Sequence, residues 1–101
     1  MKHFIFNIII LLGFIFVTAC EKKESVGTIK IAAIEPLSGP YAAVGKDIID
    51  SVNFSAQVIN ENGGINGRKI EIIPMDNAMK AEKTTELLRK AIDDGIRFIT
   101  Q

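Results

Sequence analysis

The sequence predicts an α/β fold, the βαβαβ opening of a doubly wound parallel sheet. Three observations carry that expectation. Short apolar runs rich in Ile alternate with longer segments of helical periodicity. Glycine and proline clusters separate the two kinds of segment. The order is strand, helix, strand, helix, strand, which favours right-handed crossovers and parallel pairing.

The first strand is placed at Thr28 to Ile34, TIKIAAI, which becomes apolar on both sides toward its end, as an internal strand of a parallel sheet does. Glu35-Pro36-Leu37-Ser38-Gly39-Pro40 follows as a loop. Tyr41 to Asn62 predicts a helix, with Val44, Ile48, Ile49, Val52, Ala56 and Ile59 on its apolar face. Asn62-Gly63-Gly64 stops it, because glycine accepts the left-handed conformation at a helix end. Ile65 to Arg68 is a turn, and Lys69 to Met75 a second strand. Pro74 lacks an N–H for the ladder, so this strand is expected to lie at an edge or to end there. After the loop Asp76-Asn77-Ala78, a second helix is expected over Lys80 to Asp93, with Thr84, Leu87, Leu88, Ala91 and Ile92 on one face. Its charged residues Lys80, Lys83, Glu86, Arg89 and Lys90 read as a solvated face with i,i+3 and i,i+4 pairs. Gly95 closes this helix, and Ile96 to Gln101 begins a third strand.

The amino terminus has a different character. Met1-Lys2-His3 is a short basic head, and Phe4 to Val17 is an uncharged apolar run interrupted by Asn7 and Gly13. That is the n-region and h-region of a signal peptide. The run is shorter than the roughly 20 apolar residues of a spanning helix. Val17-Thr18-Ala19-Cys20 then resembles the lipobox of bacterial lipoproteins. The resemblance implies cleavage before Cys20, a thioether from its sulfur to diacylglycerol, and acylation of the freed amine. Residues 1–19 are accordingly expected to be a lipoprotein signal peptide. Residues 20–27 are expected to form a polar, lipidated tether, and residues 28–101 the folded part.

Composition narrows the function. The overall 48% hydrophobic content is inflated by the leader. Formal charge is zero over the whole chain, and removing Lys2 leaves one acid in excess, which gives no electrostatic footprint for nucleic acid. Loss of the leader also removes His3, the only histidine, and the single cysteine is the expected lipid site. No thiol or imidazole remains for a Ser-His or Cys-His pair or for a typical zinc site. Glu35 and Asp76 both fall at strand ends, where a carboxylate pair could act as acid and base, but nothing beside them supports catalysis. Asp76 is expected instead to bond nearby backbone. No catalytic residue, metal or cofactor is assigned. Gly63-Gly64-Ile65-Asn66-Gly67 is not a phosphate loop, because it follows a helix and opens a strand.

Pro36-Leu37-Ser38-Gly39-Pro40, Gly45, the block Ile59-Asn60-Glu61-Asn62-Gly63-Gly64-Ile65-Asn66-Gly67-Arg68-Lys69-Ile70, and Asp76 together form a recognisable pattern. It resembles the amino-terminal lobe of branched-chain amino-acid binding proteins, the type I solute-binding proteins of ABC importers. The resemblance covers residues 28 to 101. It implies two α/β lobes joined by a hinge, with a small polar ligand such as an amino acid in the cleft and an ABC permease as partner. This chain would hold the incomplete opening of one lobe, as a truncated gene product or a fragment. Ligands of open parallel sheets sit beyond the carboxyl ends of strands, where the strand order reverses. Here that means the loop after Ile34 and the one after the strand ending near Gln101. In the family the latter supplies Ser/Thr hydroxyls and amides, and a Gly often stands at the place of Gln101. Ser38, Gly39, Tyr41 and Val44 are the candidate ligand-binding residues. Relatives commonly carry an aromatic where this chain has Val44. Tyr41, three residues earlier, either takes over that contact or packs toward the hinge. Two other readings stay open: a non-functional truncation that does not fold stably, and a ligand-binding sensor domain of the same fold.

Overall fold

The computed structural model describes residues 27–101. The signal peptide, Cys20 and all of the tether but Gly27 lie outside the described residues. Three strands form one parallel sheet: β1 (Ile29–Glu35), β2 (Ile70–Asp76) and β3 (Phe98–Thr100). Their order is β2-β1-β3, so β1 is central and β2 is the edge expected from Pro74. Helix α1 (Ala42–Glu61) connects β1 to β2, and α2 (Ala81–Asp93) connects β2 to β3. A 3-10 turn over Gly39–Tyr41 precedes α1, where the sequence suggested loop through Pro40. The third strand is shorter than expected, because Ile96 and Arg97 stay outside the ladder.

The register is regular, from Ile29 opposite Ile70 to Glu35 opposite Asp76, with Ile31 to Ala33 opposite Phe98 to Thr100 on the other side. Strand periodicity of two then sorts the side chains. Ala32, Ile34 and Met75 cluster with Ala91 of α2 and with Ile96, and Ile73, Leu87 and Ile99 pack against that group. The residues between them, Ile31, Ile70, Ile72 and Thr100, line a groove with Val52, Ala56 and Ile59 of α1. The two helices therefore cover opposite faces. Ala32, Ala33 and Ile34 expose no surface at all.

The helix faces are narrower than their periodicity suggested. On α1, Gly45, Ile49 and Ala56 are buried, while Val44, Ile48 and Ile59 are exposed. On α2, Ala91 is buried and Leu87 half-buried, but Leu88 and Ile92 are exposed. A three-stranded sheet offers each helix one line of contact, and the flanks of the apolar stripe lie beyond it. The charge pairing also differs: among the described residues, the i,i+4 salt bridges are Lys90–Asp94 at the end of α2 and Lys46–Asp50 on α1.

The turn between α1 and β2 accounts for the glycine-rich run Gly63 to Gly67 without any ligand. Gly64 N–H donates to the Ile59 carbonyl at 2.9 Å, closing the helix. Ile65 and Arg68 exchange two backbone bonds around Asn66 and Gly67, whose φ values are 52° and 77°. Two left-handed residues in an Asn-Gly pair make the tight hairpin turn that suits such a reversal. Asn60 then clips the helix to the strand: its Oδ1 accepts from Ile70 N–H at 2.7 Å, and its Nδ2 donates to the Ile70 carbonyl at 2.8 Å. The Lys69 carbonyl bonds β1 through Ile29 N–H, so the alternation of a parallel ladder turns Ile70, Ile72 and Pro74 outward. Asn60 thus stands where a neighbouring strand would, and Pro74 forfeits no ladder bond.

Two substitutions test these contacts by denaturant unfolding. Asn60→Leu leaves both Ile70 backbone groups without their partner and should cost about 1–3 kcal/mol, with Asn60→Asp, which keeps the acceptor, costing less. Gly45→Ala drives a Cβ into the Pro36 carbonyl, since the first turn of α1 lies against the loop after β1; a loss of roughly 1–3 kcal/mol is expected.

Candidate functional site

The carboxyl ends of β1 and β2 are joined by one side chain. Asp76, the last residue of β2, accepts from Leu37 N–H at 2.9 Å and from Ala78 N–H at 2.8 Å, both on Oδ1. The first bond crosses to the loop after β1, and the second closes an Asx turn on Asp76's own loop. Asn77 N–H donates to the Glu35 carbonyl at 3.1 Å, extending the ladder one residue past the strands. Asn77 is buried, and its Oδ1 accepts from Met79 N–H at 3.0 Å while Lys80 N–H donates to its carbonyl at 2.9 Å.

Those bonds hold an unusual backbone. Ala78 and Met79 have φ of 50° and 58°, two consecutive non-glycine residues in the left-handed region. Such residues cost of order 1–3 kcal/mol each and persist only where neighbours over-determine them. The side chains of Asp76 and Asn77 supply that constraint, and the left-handed pair leaves Met79 exposed at the end of the sheet.

Asp76 is electrostatically tuned by the same contacts. The Ser38 hydroxyl beside it, then the Leu37 and Ala78 amides, stabilise the carboxylate, and the charge of Lys83 adds to them. Together they hold its pKa down to about 2 against an ordinary 3.8. Asp76 is therefore anionic and occupied with backbone, in agreement with the bonding expected of it and unlike a general acid.

The residues predicted to meet a ligand sit on the loop that Asp76 pins. Ser38 and Gly39 are exposed, and Gly39 has φ 76°, a conformation that favours glycine as the chain enters the 3-10 turn. Tyr41 caps α1 and Val44 lies in its first turn, both more than half exposed. All four belong to the segment that leaves the carboxyl end of β1. The strand order reverses between β1 and β3, so this end of the sheet is the reversal point where ligands of open α/β sheets bind. The long-range bond from Leu37 to Asp76, the burial of Asn77 and the left-handed pair were not foreseen from the sequence. The Asp-Asn pair directly after a strand was the available signal for them.

An open parallel sheet with helices on both faces and a shaped loop at the reversal point defines the start of an open α/β lobe. Residues 28–101 match the periplasmic binding protein family, and the chain belongs to it. Among curated proteins it is similar to Leu/Ile/Val-binding protein homolog 4 of Brucella abortus, 40% identical over 73 residues, covering 72% of this chain and 18% of that protein. It is also similar to the Leu/Ile/Val-binding protein of Escherichia coli, 31% identical over 71 residues, covering 70% of this chain and 19% of that protein. The chain thus spans under one fifth of the length of these relatives. Among solved structures, the branched-chain amino acid transporter substrate binding protein LivJ of Streptococcus pneumoniae, in complex with isoleucine, superposes with a TM-score of 0.62. That match is 28% identical and covers 67% of this chain and 20% of LivJ. A fatty acid ABC transporter substrate-binding protein from Thermomonospora curvata gives a TM-score of 0.63 at 27% identity, covering 72% of this chain and 18% of that one.

The depressed Asp76 pKa fixes the sign of an acid effect. Its contribution to stability is complete above pH 3.8 and is lost as the pH falls through about 2. The protection factor of the Leu37 amide, its intrinsic exchange rate divided by the observed rate at the same pH, should fall as the pH drops through that window, and Asp76→Asn, which cannot ionise, should remove the carboxylate's part of the pH dependence.

Proposed function

We propose that the chain is the opening of the amino-terminal lobe of an exported, lipid-anchored solute-binding protein. It would bind a branched-chain or related amino acid for uptake through an ABC permease. The observation that carries this reading is the loop Ser38–Tyr41, held by Asp76 at the reversal point of the sheet in a chain whose relatives are named Leu/Ile/Val-binding proteins. Ser38 and Gly39 would shape the floor of the cleft, and Tyr41 and Val44 would offer apolar contact to the ligand side chain. Binding is non-covalent, with closure of two lobes on the ligand. No catalytic step is assigned.

Residues 1–19 act in this reading as a signal peptide, and residues 20–27 as a tether carrying acyl chains on Cys20. Two or three chains hold a protein on a membrane far better than one, since each buried CH₂ adds about 0.8 kcal/mol. The tether keeps the binding lobe at high effective concentration beside its permease. Cys20→Ser should move the protein from the membrane to the soluble fraction; an unchanged distribution excludes Cys20 as the anchor.

Ligand binding is tested by a chimera in which residues 28–101 replace the matching segment of the Brucella relative. Titration calorimetry should show binding of leucine, isoleucine or valine. Tyr41→Ala in that chimera should weaken it about tenfold, roughly 1.4 kcal/mol. Binding of a long-chain fatty acid with no response to amino acids would reassign the cargo to the class named for the Thermomonospora protein.

A further inference from the structure

At the opposite end of the sheet, Lys30, Arg68 and Arg97 line one concavity of about 420 Å³ together with Thr28, Gly95 and Phe98. No carboxylate lines it. All three cations are exposed, and none forms a salt bridge with an acid among the described residues. The acids at this end are partly engaged elsewhere, Asp94 with Lys90 and Glu61 with Gln57. Glu71 is the register partner of Lys30, and Lys30 also borders the neighbouring concavity that holds Lys90 and Asp94, so Arg68 and Arg97 are the cations of the cluster with no carboxylate lining beside them. Phe98 is 59% exposed on the same rim.

The position of this cluster is set by the chain itself. Arg68 Nε donates to the Gly27 carbonyl at 2.7 Å, so the segment arriving from Cys20 enters the fold beside the concavity. Extended fully, residues 20–27 reach no further than roughly 25 Å. Electrostatic attraction to an anionic leaflet acts within about one Debye length, roughly 8 Å at physiological ionic strength. At full reach the tether spans about three such lengths, so it keeps the fold near the bilayer without fixing its orientation; the end at which the chain enters is the one that carries the exposed cations. Guanidinium groups suit phosphate oxygens through paired N–H donors, and an exposed ring beside them suits the boundary between headgroups and acyl chains.

We infer that the concavity formed by Lys30, Arg68, Arg97 and Phe98 is a docking site for the phosphate headgroups of anionic phospholipid. It seats the amino-terminal end of the sheet on the membrane and turns the Ser38–Tyr41 loop away from it. The orientation rests on the lipid-anchor reading above; the headgroup site rests on the cluster.

Limited trypsin cleavage of the full chain on vesicles tests it. Cleavage after Arg68 and Lys69 is compared between vesicles of phosphatidylcholine alone and of phosphatidylcholine with phosphatidylglycerol. Cleavage after Lys83 and Arg89 on α2 serves as the internal reference. Anionic vesicles should slow cleavage after Arg68 several-fold, and high salt should abolish the protection. The double variant Lys30→Gln/Arg97→Gln, which leaves Arg68 and its bond to Gly27 in place, should lose it too, each charge being worth roughly fivefold in surface binding. Equal cleavage on both vesicle types, or protection that survives in the double variant, overturns the site. Equal protection by inorganic phosphate without vesicles also overturns it in favour of a soluble anion. The intact mass separates the two readings. Protection of a chain that carries no lipid supports the site and removes the anchor, whereas a lipidated chain without protection keeps the anchor and overturns the site.

Discussion

β1 is the strand on which everything else is hung, because it is the one strand paired along both edges and covered on both faces. Two adjacent alanines make that possible. Ala32 and Ala33 point to opposite faces, and with Ile34 they leave no surface to solvent. Small side chains let a helix settle on each face without strain, and dense packing there compensates for the limited area a small domain can bury. Glu35 ends the strand inside that buried run, so the loop that follows starts from a fixed point. The candidate site takes its starting point from this packing, and the bond from Leu37 to Asp76 fixes the loop beyond it.

The second constraint is the carboxylate of Asp76. It accepts from two amides on different loops, one of them 39 residues away, and so converts two independent connections into one rigid rim. A neutral acceptor could take the same bonds, but less strongly, since hydrogen bonds to an ionised oxygen are roughly twice as strong. The left-handed backbone at Ala78 and Met79 is tolerated for the same reason. Local strain at the carboxyl end of the sheet is held by Asp76 and Asn77, and the Asp76 side chain also carries the cross-link to the loop after β1.

Much of the architecture was legible because it depends on short-range rules. The parallel alternation, the glycine stop at Gly63 and Gly64, and the edge placement of β2 from Pro74 all follow from backbone chemistry within a few residues. What periodicity could not convey was how wide a surface the sheet presents. Val44, Ile48, Leu88 and Ile92 belong to apolar stripes by spacing, yet they lie outside the contact line of three strands. The pairing of Asp76 with Leu37 was hidden for another reason. It joins residues far apart in sequence, and no local pattern encodes the distance between two strand ends. Asn60 was visible as part of a motif, but its bond to Ile70 depends on how the helix end meets the strand. The four candidate ligand residues were placed by resemblance and strand order, and the fold gathers them on one segment at the reversal point.

The outward edge of β2 carries a further consequence. Its free ladder groups at Ile70 are taken by the Asn60 amide, and at the next outward positions it offers Ile72 and then Pro74, which has no N–H to give. This edge is poorly suited to recruiting another strand, whether from the same chain or from a neighbour. Among the described residues β3 has no such guard. Growth of the sheet is therefore directional, and a strand joining it meets β3 first. The same asymmetry that steers extension also limits edge-to-edge association of two copies to a single side.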